Sequence, residues 1–339
     1  MRAAGLDYES RCLAEFQLPD PPPPGPGEAL LEIVEVGICA TDRELAHFHF
    51  GRPPAGETRL TLGHEALARV AAVGPGSGGF QSGELVVPMI REACPTLCRG
   101  CGAGRMDLCE TGAYRERGIV GWHGYLTSYA VDQTARLVRV PSSLAELAVL
   151  LEPLSVVEKA MEAAWRAAPL PPRQATVFGA GPVGLLTVLA LLARGVEVTC
   201  RSLEAEDHPR ALLAREAGAR YEVASAPLRQ SHLVFEVSGS PQAGRAAFDA
   251  LGPSGVLVLV GASDFDIRFP GIRAVVENQT IVGVVNASAA HFQAALLDLA
   301  RFDVRLVRRL IQRQPWASWQ EAVALQGSTA AIKTVLPLH

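Results

Sequence analysis

The stretch "ATVFGAGPVGLLTVLALLARGVEVTCR", residues 175–201, decides the fold. It reads as a short apolar strand, a glycine turn, an apolar helix and a second strand. Gly179, Gly181 and Gly184 form G-x-G-x-x-G between strand and helix. Such glycines permit a tight turn and close approach of the backbone to a pyrophosphate, and the helix N-terminus adds N–H groups and a positive dipole end. Pro182 and Val183 lie inside the turn and are expected to line the same cofactor site. The pattern alone is weak, but the correct strand before it and helix after it make it specific.

Working outward, HLVFEVSG, GVLVLVGAS and TIVGVVNAS read as further strands alternating with the helical RALLAREAG and QAGRAAFDAL. This β-α-β rhythm predicts a doubly wound parallel sheet. Before it, LLEIVEVGI, EALARVAAVG, ELVVPMI, YLTSYAVD and RLVRVP are short strands broken by Gly and Pro, as in a barrel-like β domain. "SSLAELAVLLEPLSVVEKAMEAAWRAA" reads as helix interrupted by Pro153, and the final AIKTVLPL strand is placed to rejoin the first domain. The expected boundaries are 1–153 plus 289–339 for the β-rich domain and 154–288 for the nucleotide domain.

The chain has 339 residues and a net charge of −4, which disfavours nucleic acid and anionic membrane surfaces as partners. MRAAGLDYES lacks the apolar core of a signal peptide, and the longest apolar run, Val183–Ala193, is far short of the ~20 residues of a membrane span. A soluble, cytoplasmic protein is expected. In that compartment clustered cysteines read as metal ligands before disulfides. Basic residues are 29 Arg and only two Lys, Lys159 and Lys333.

At the end of the second nucleotide-domain strand an NAD site usually presents an acidic residue to the ribose. Here Arg201 and Ser202 stand there, with Glu204 two residues on. An arginine suits a 2′-phosphate, so NADP is expected in preference to NAD. Three other pieces offer metal ligands: Cys39 in GICATDRE, His64 with Glu65 in LGHEAL, and Glu152 in LLEPLS. Thiolate, imidazole and carboxylate are competent zinc ligands, and three of them with an open position define a catalytic site.

These motifs resemble the zinc-dependent medium-chain dehydrogenase/reductase superfamily over nearly the whole chain, with its G-H-E signature at Gly63, His64 and Glu65. Ala68 stands where the family pattern has its next glycine, and Gly74 fits the second. CETGAYRERGIVGWHGYLTSY, LEPLSVVEKA and HFQAAL narrow the resemblance to the glucose 1-dehydrogenase branch. It implies a β-rich GroES-like catalytic domain joined to a Rossmann domain. It implies one catalytic zinc held by Cys39, His64, Glu65 and Glu152, with Glu65 either a direct ligand or in the surrounding layer and Glu152 direct or through water. Cys94, Cys98, Cys101 and Cys109 match the structural zinc lobe, with spacing x3-x2-x7. Cys12 and Cys200 are left as packing residues.

The resemblance implies that a sugar is oxidised at C1 to its lactone, with hydride passing to NAD(P). Glu116 is implied to accept hydrogen bonds from sugar hydroxyls, and Asn286 to touch the substrate or the nicotinamide ribose. Thr41, two residues past Cys39, is the expected first proton carrier. The relay His of related enzymes, five residues after the Cys, is Glu44 here, which leaves His47 or water, neither supported by spacing; His47 and His49 read equally as surface residues. The apolar Met89-Ile90 replaces a polar residue of some glucose dehydrogenases and keeps a polyol or other secondary alcohol as an alternative. A non-catalytic NADPH-binding protein or a zinc-free quinone reductase would not need the intact ligands. A homodimer or homotetramer is implied.

Overall fold

The computed structural model describes residues 1–261, 266–325 and 331–338. Residues 262–263, the end of the predicted strand GVLVLVGAS, lie outside them. The chain divides into two units, Met1–Glu152 with Ser288–Leu299 and Arg308–His339, and Pro153–Ala287 with Ala300–Val307.

The first unit is β-rich and GroES-like. A three-stranded sheet pairs β1 (Arg2–Asp7) with β2 (Cys12–Gln17) and β4 (Arg59–Thr61). β2 is an edge strand that leaves Cys12 exposed, so this cysteine is not a packing residue. The main sheet runs β11 (Leu137–Arg139), β6 (Leu85–Pro88), β5 (Glu65–Val73), β3 (Glu28–Gly37), β19 (Lys333–Pro337), β18 (Ile311–Arg313), with β10 (Tyr129–Gln133) also on β3. The C-terminal β19 therefore does return to this unit, antiparallel to β3. Alternating residues Ala29, Leu31 and Ile33 of β3, and Val36 beyond a register shift, join Leu6, Ala66, Ala68 and Leu126 in one buried cluster. Ala68 lies inside β5 opposite Ile33 and Val86, so this position forms no turn that would need glycine. A short helix, α1 (Ala40–Ala46), follows β3, and a small sheet joins β7 (Arg91–Glu92), β8 (Arg115–Arg117) and β9 (Gly121–Trp122). Between β7 and β8 lies the four-cysteine segment with its single-turn helix α2 (Arg99–Gly102).

Pro153 does not interrupt a helix. A 3-10 turn runs from Ser142 to Leu150, and α3 (Leu151–Ala167) begins just before the proline. In the first helical turn the missing proline N–H leaves no bond unmade.

The second unit is a Rossmann sheet of six parallel strands. Their order is β14 (Arg220–Val223), β13 (Glu197–Ser202), β12 (Gln174–Phe178), β15 (Ser231–Glu236), β16 (Leu251–Leu259), β17 (Thr280–Gly283). In strand sequence this is 3-2-1-4-5-6, the dinucleotide-binding order. α4 (Pro182–Ala193) follows β12 with buried residues nearly all round, and Cys200 is buried in β13. Among the described residues no helix is long and apolar enough to cross a membrane.

Candidate metal centre and nucleotide turn

The sequence places Cys39 and His64 25 positions apart, and the sheet brings them together. Cys39 is the N-cap of α1: its Sγ accepts the Thr41 N–H at 3.2 Å, and its own N–H donates to Asp42 Oδ2 at 2.9 Å. Capping fixes the thiol at the start of the helix. Its Sγ lies 3.0 Å from His64 Nε2, and the ligand atoms of Cys39, His64 and Glu65 all lie within 4.8 Å of one another. Gly37 opposes Glu65 across β3 and β5, and a Cβ there would collide with the Glu65 carboxylate. That glycine makes the room in which Glu65 stays buried.

Glu152, at the start of α3, does not complete the group within that separation, but its charge acts on the same site. Burial first, and the neighbouring Glu65 carboxylate second, push its carboxyl up to about 8. Burial works against a charge on His64, but the Cys39 sulfur and Asp42 outweigh it and raise the imidazole well above its usual value. Asp42 is fully buried, with Oδ1 3.4 Å from His64 Nδ1. A carboxylate on the far ring nitrogen is how metal-binding imidazoles are oriented. Here it leaves Nε2 facing Cys39. The donor set and this orientation fit a divalent zinc ion.

Sequence reasoning missed Asp42 and Lys333. The capping spacing in CATD was a usable signal for Asp42. Lys333 is buried, donating to both Glu65 oxygens and, at 3.2 Å, to the carbonyl of Ile38. Its only signal was rarity. The other lysine, Lys159, is also buried and donates at 2.8 Å to the carbonyl of Val285, next to Asn286. Asn286 has φ 59° and is buried, its Oδ1 accepting the Ala287 N–H.

Glu116 is buried on β8, and its register partner across the small sheet is Arg91, whose Nε donates to Oε1 at 2.8 Å. Arg91 is itself buried, its guanidinium 3.8 Å from the Tyr114 ring centroid. Ile90 belongs to the apolar core, and Met89 is also buried.

The four lobe cysteines form one cluster with their sulfurs within 4.8 Å, and none is in a disulfide. Cys98 and Cys109 sulfurs are 3.9 Å apart, close to the edge of about 3.8 Å of a tetrahedron with Zn–S near 2.3 Å. Backbone N–H groups of Cys98 and Glu110 donate to Cys94 and Cys98 sulfurs. Hydroxyls of Thr111 and Thr96, with the Cys98 N–H, push Cys94 down to about 5, whereas burial pushes Cys101 up to about 12. The extra residue in CPTLC is accommodated without breaking the cluster.

In the second unit Gly179 has φ 116°, and a Cβ on Gly184 would collide with the Gly179 carbonyl. Gly181 faces open space. The turn can therefore admit a phosphate against its backbone. Arg201 does not serve as expected. The register of β13 and β14 sets it opposite Glu222, and its buried guanidinium pairs with that carboxylate and with the carbonyls of Ala224, Ala226 and Pro227. The polar end of β13 is instead Ser202 donating to Glu204, whose other oxygen pairs with Arg210 at 2.8 Å.

Two family descriptions match this chain: "Alcohol dehydrogenase GroES-like domain" over residues 25–142 and "Glucose dehydrogenase C-terminus" over residues 145–338. Glucose 1-dehydrogenase of Thermoproteus tenax is 38% identical over 319 residues, 89% of each chain. That of Methanocella arvoryzae is 35% identical, over 87% of this chain and 88% of the relative. Among solved structures, Haloferax mediterranei glucose dehydrogenase in complex with NADP, Zn and gluconolactone superposes with TM-score 0.91 at 30% identity, over 100% of this chain and 99% of the other.

Proposed function

The chain belongs to the glucose dehydrogenases of the zinc-dependent medium-chain dehydrogenase/reductase superfamily, and from that membership we propose that it oxidises glucose or a close aldose at C1 to the lactone with NAD(P). The observation that carries the reading is the Cys39–His64–Glu65 group oriented by Asp42 and enclosed in the β-rich unit. When bound, zinc supplies a Lewis acid to a substrate hydroxyl and the dinucleotide accepts the hydride from the same carbon.

The remaining work falls to the chain's own side chains. Cys39, His64 and Glu65 hold the metal, with the Glu152 carboxylate beside them as the fourth group. The Thr41 hydroxyl carries the proton that leaves the substrate hydroxyl, and Glu152 gives up its own proton when the metal binds. Glu116, held by Arg91, is the sugar-hydroxyl acceptor. Asn286, fixed beside the Lys159-bound carbonyl, faces the ligand end of the second unit's sheet. The Cys94–Cys98–Cys101–Cys109 lobe holds a structural zinc. Gly179, Gly181, Pro182, Val183 and Gly184 cradle the pyrophosphate. With Arg201 committed to Glu222, a 2′-phosphate of NADP falls to Ser202 and Arg210.

The β-rich unit is read as catalytic and the Rossmann unit as nucleotide-binding. The cytoplasm suits a cluster of unpaired thiolates. Self-association is read from β17, the open edge of the Rossmann sheet, and from Ile272, Val275 and Val276 on α5 (Gly271–Val276), each more than two-thirds exposed.

The test is NADP and NAD reduction by zinc-loaded protein over aldoses, polyols and simple alcohols, with a chelated control. Chelator-sensitive turnover of glucose or an epimer is expected. Turnover of simple alcohols alone would refute the sugar reading.

A further inference from the structure

We propose that Glu44, His47 and His49, at the C-terminal end of α1, form a separate surface site for a divalent first-row transition ion. The ligand atoms of these three side chains lie within 4.8 Å of one another. His49 Nδ1 is 3.2 Å from Glu44 Oε2, and the two imidazole centroids are 5.5 Å apart. Ligands at about 2.0–2.1 Å around one ion sit roughly 3 Å apart, so small rotations of exposed side chains close the set.

The backbone is arranged for this. His47 caps α1, its N–H directed at the carbonyls of Arg43, Glu44 and Leu45. Phe48 then takes φ 58°, a left-handed conformation uncommon for an aromatic residue. It is held there by its edge-on ring contact with Tyr8 at 5.3 Å and by the Arg11 guanidinium 4.8 Å over its face. The reversal brings His47 and His49 to the same side, facing Glu44. Observed strain of this kind is a pointer to function, and here it gathers three ligands.

Chemistry selects the class of ion. Two imidazoles and one carboxylate suit Zn²⁺, Ni²⁺ or Cu²⁺ and not Mg²⁺ or Ca²⁺, which prefer oxygen. Arg43 occupies Oε1 and leaves Oε2 to the imidazole side. The negative end of the helix dipole also favours a cation there. The site differs from the lobe and from the Cys39 centre in having no thiolate and in being open to solvent.

The experiment titrates Ni²⁺ by calorimetry into protein that holds two zinc ions per chain and has been freed of excess zinc, with bound zinc measured before and after. It reads binding, not turnover, and is independent of which substrate the enzyme takes. One Ni²⁺ is expected per chain with zinc retained, lost in the double variant His47→Ala/His49→Ala. The single variant Glu44→Gln should weaken it. No Ni²⁺ uptake by the unaltered protein would overturn the proposal, as would equal uptake by the double variant. Circular dichroism and zinc content of the variants report folding, and His49→Gln, at a side chain 65% exposed, repeats the test if the double variant fails to fold.

Discussion

Lys333 and Glu65, 268 residues apart in the chain, form a buried ion pair: Nζ lies 2.8 Å from Oε1 and 2.5 Å from Oε2. Burial works against the ammonium, but Glu65 first and Cys39 next raise its pKa, so the lysine stays charged. The C-terminal strand is thereby tied to a metal-ligand candidate from the other end of the sequence. Lys333→Met strands Glu65 in the interior beside Glu152, and breaking a buried pair on one side costs about 3–5 kcal/mol. Urea unfolding should show that loss. The double variant Lys333→Met/Glu65→Gln should recover a large part of it, because the uncompensated charge is gone. Additive losses would mean that the pair is not coupled.

Zinc uptake by the metal-free protein should strengthen as pH rises. His64 and Glu152 both have folded-state pKa values raised above their ordinary ones, Glu152 to about 8, so both hold protons near neutrality that a metal must displace. Calorimetry of Zn²⁺ binding at pH 7 in buffers of different ionisation enthalpy should detect proton release. The same shifts set the sign for the apo chain: groups that hold protons more tightly when folded contribute stability below their unfolded pKa, and that contribution is lost as pH rises through the folded value. Apo stability should fall from the ordinary Glu152 value of 4.5 up to about pH 8, with His64 adding to the fall above 6.5. Zinc-loaded protein should not show this fall.

Cofactor choice separates two neighbouring residues. Arg201→Ala should lower stability by about 3 kcal/mol, the scale for removing one partner of a buried pair, because Glu222 loses its guanidinium. It should leave the ratio of kcat/KM for NADP and NAD unchanged. Glu204→Gln should shift that ratio toward NADP, by removing a charge that opposes a 2′-phosphate and competes for Arg210. A collapse of NADP use in Arg201→Ala without loss of stability would reverse this assignment.

Glu116→Gln is the cleanest probe of sugar binding. Glu116→Ala would strand the buried Arg91 and confuse a folding defect with a binding one. The glutamine keeps an acceptor and the shape but drops the charge. KM for aldoses should rise about tenfold, the scale of one charge-assisted hydrogen bond, while KM for simple alcohols stays within twofold. An equal effect on both would remove Glu116 from sugar recognition.

What the sequence determined by itself was whatever local chemistry encodes. The glycine turn at 179–184, the β-α-β alternation around it, the G-H-E ligands at 64 and 65 and the four lobe cysteines are short-range patterns, each carrying its own conformational or ligand requirement. They were enough for two folds and a metal-dependent dehydrogenase. Tertiary structure alone decided which partners Arg201, Glu116 and Lys333 take. Arg201 and Glu116 look like free ligand-binding groups in one dimension, but strand register delivers Glu222 to the first and Arg91 to the second. Lys333 reaches Glu65 only because the last strand lies against β3. Asp42 could be read as a cap, but its second task, orienting His64, exists only once β5 is in place. For these three pairs the ionic partner is set by which backbones lie side by side, across 21, 25 and 268 positions of sequence.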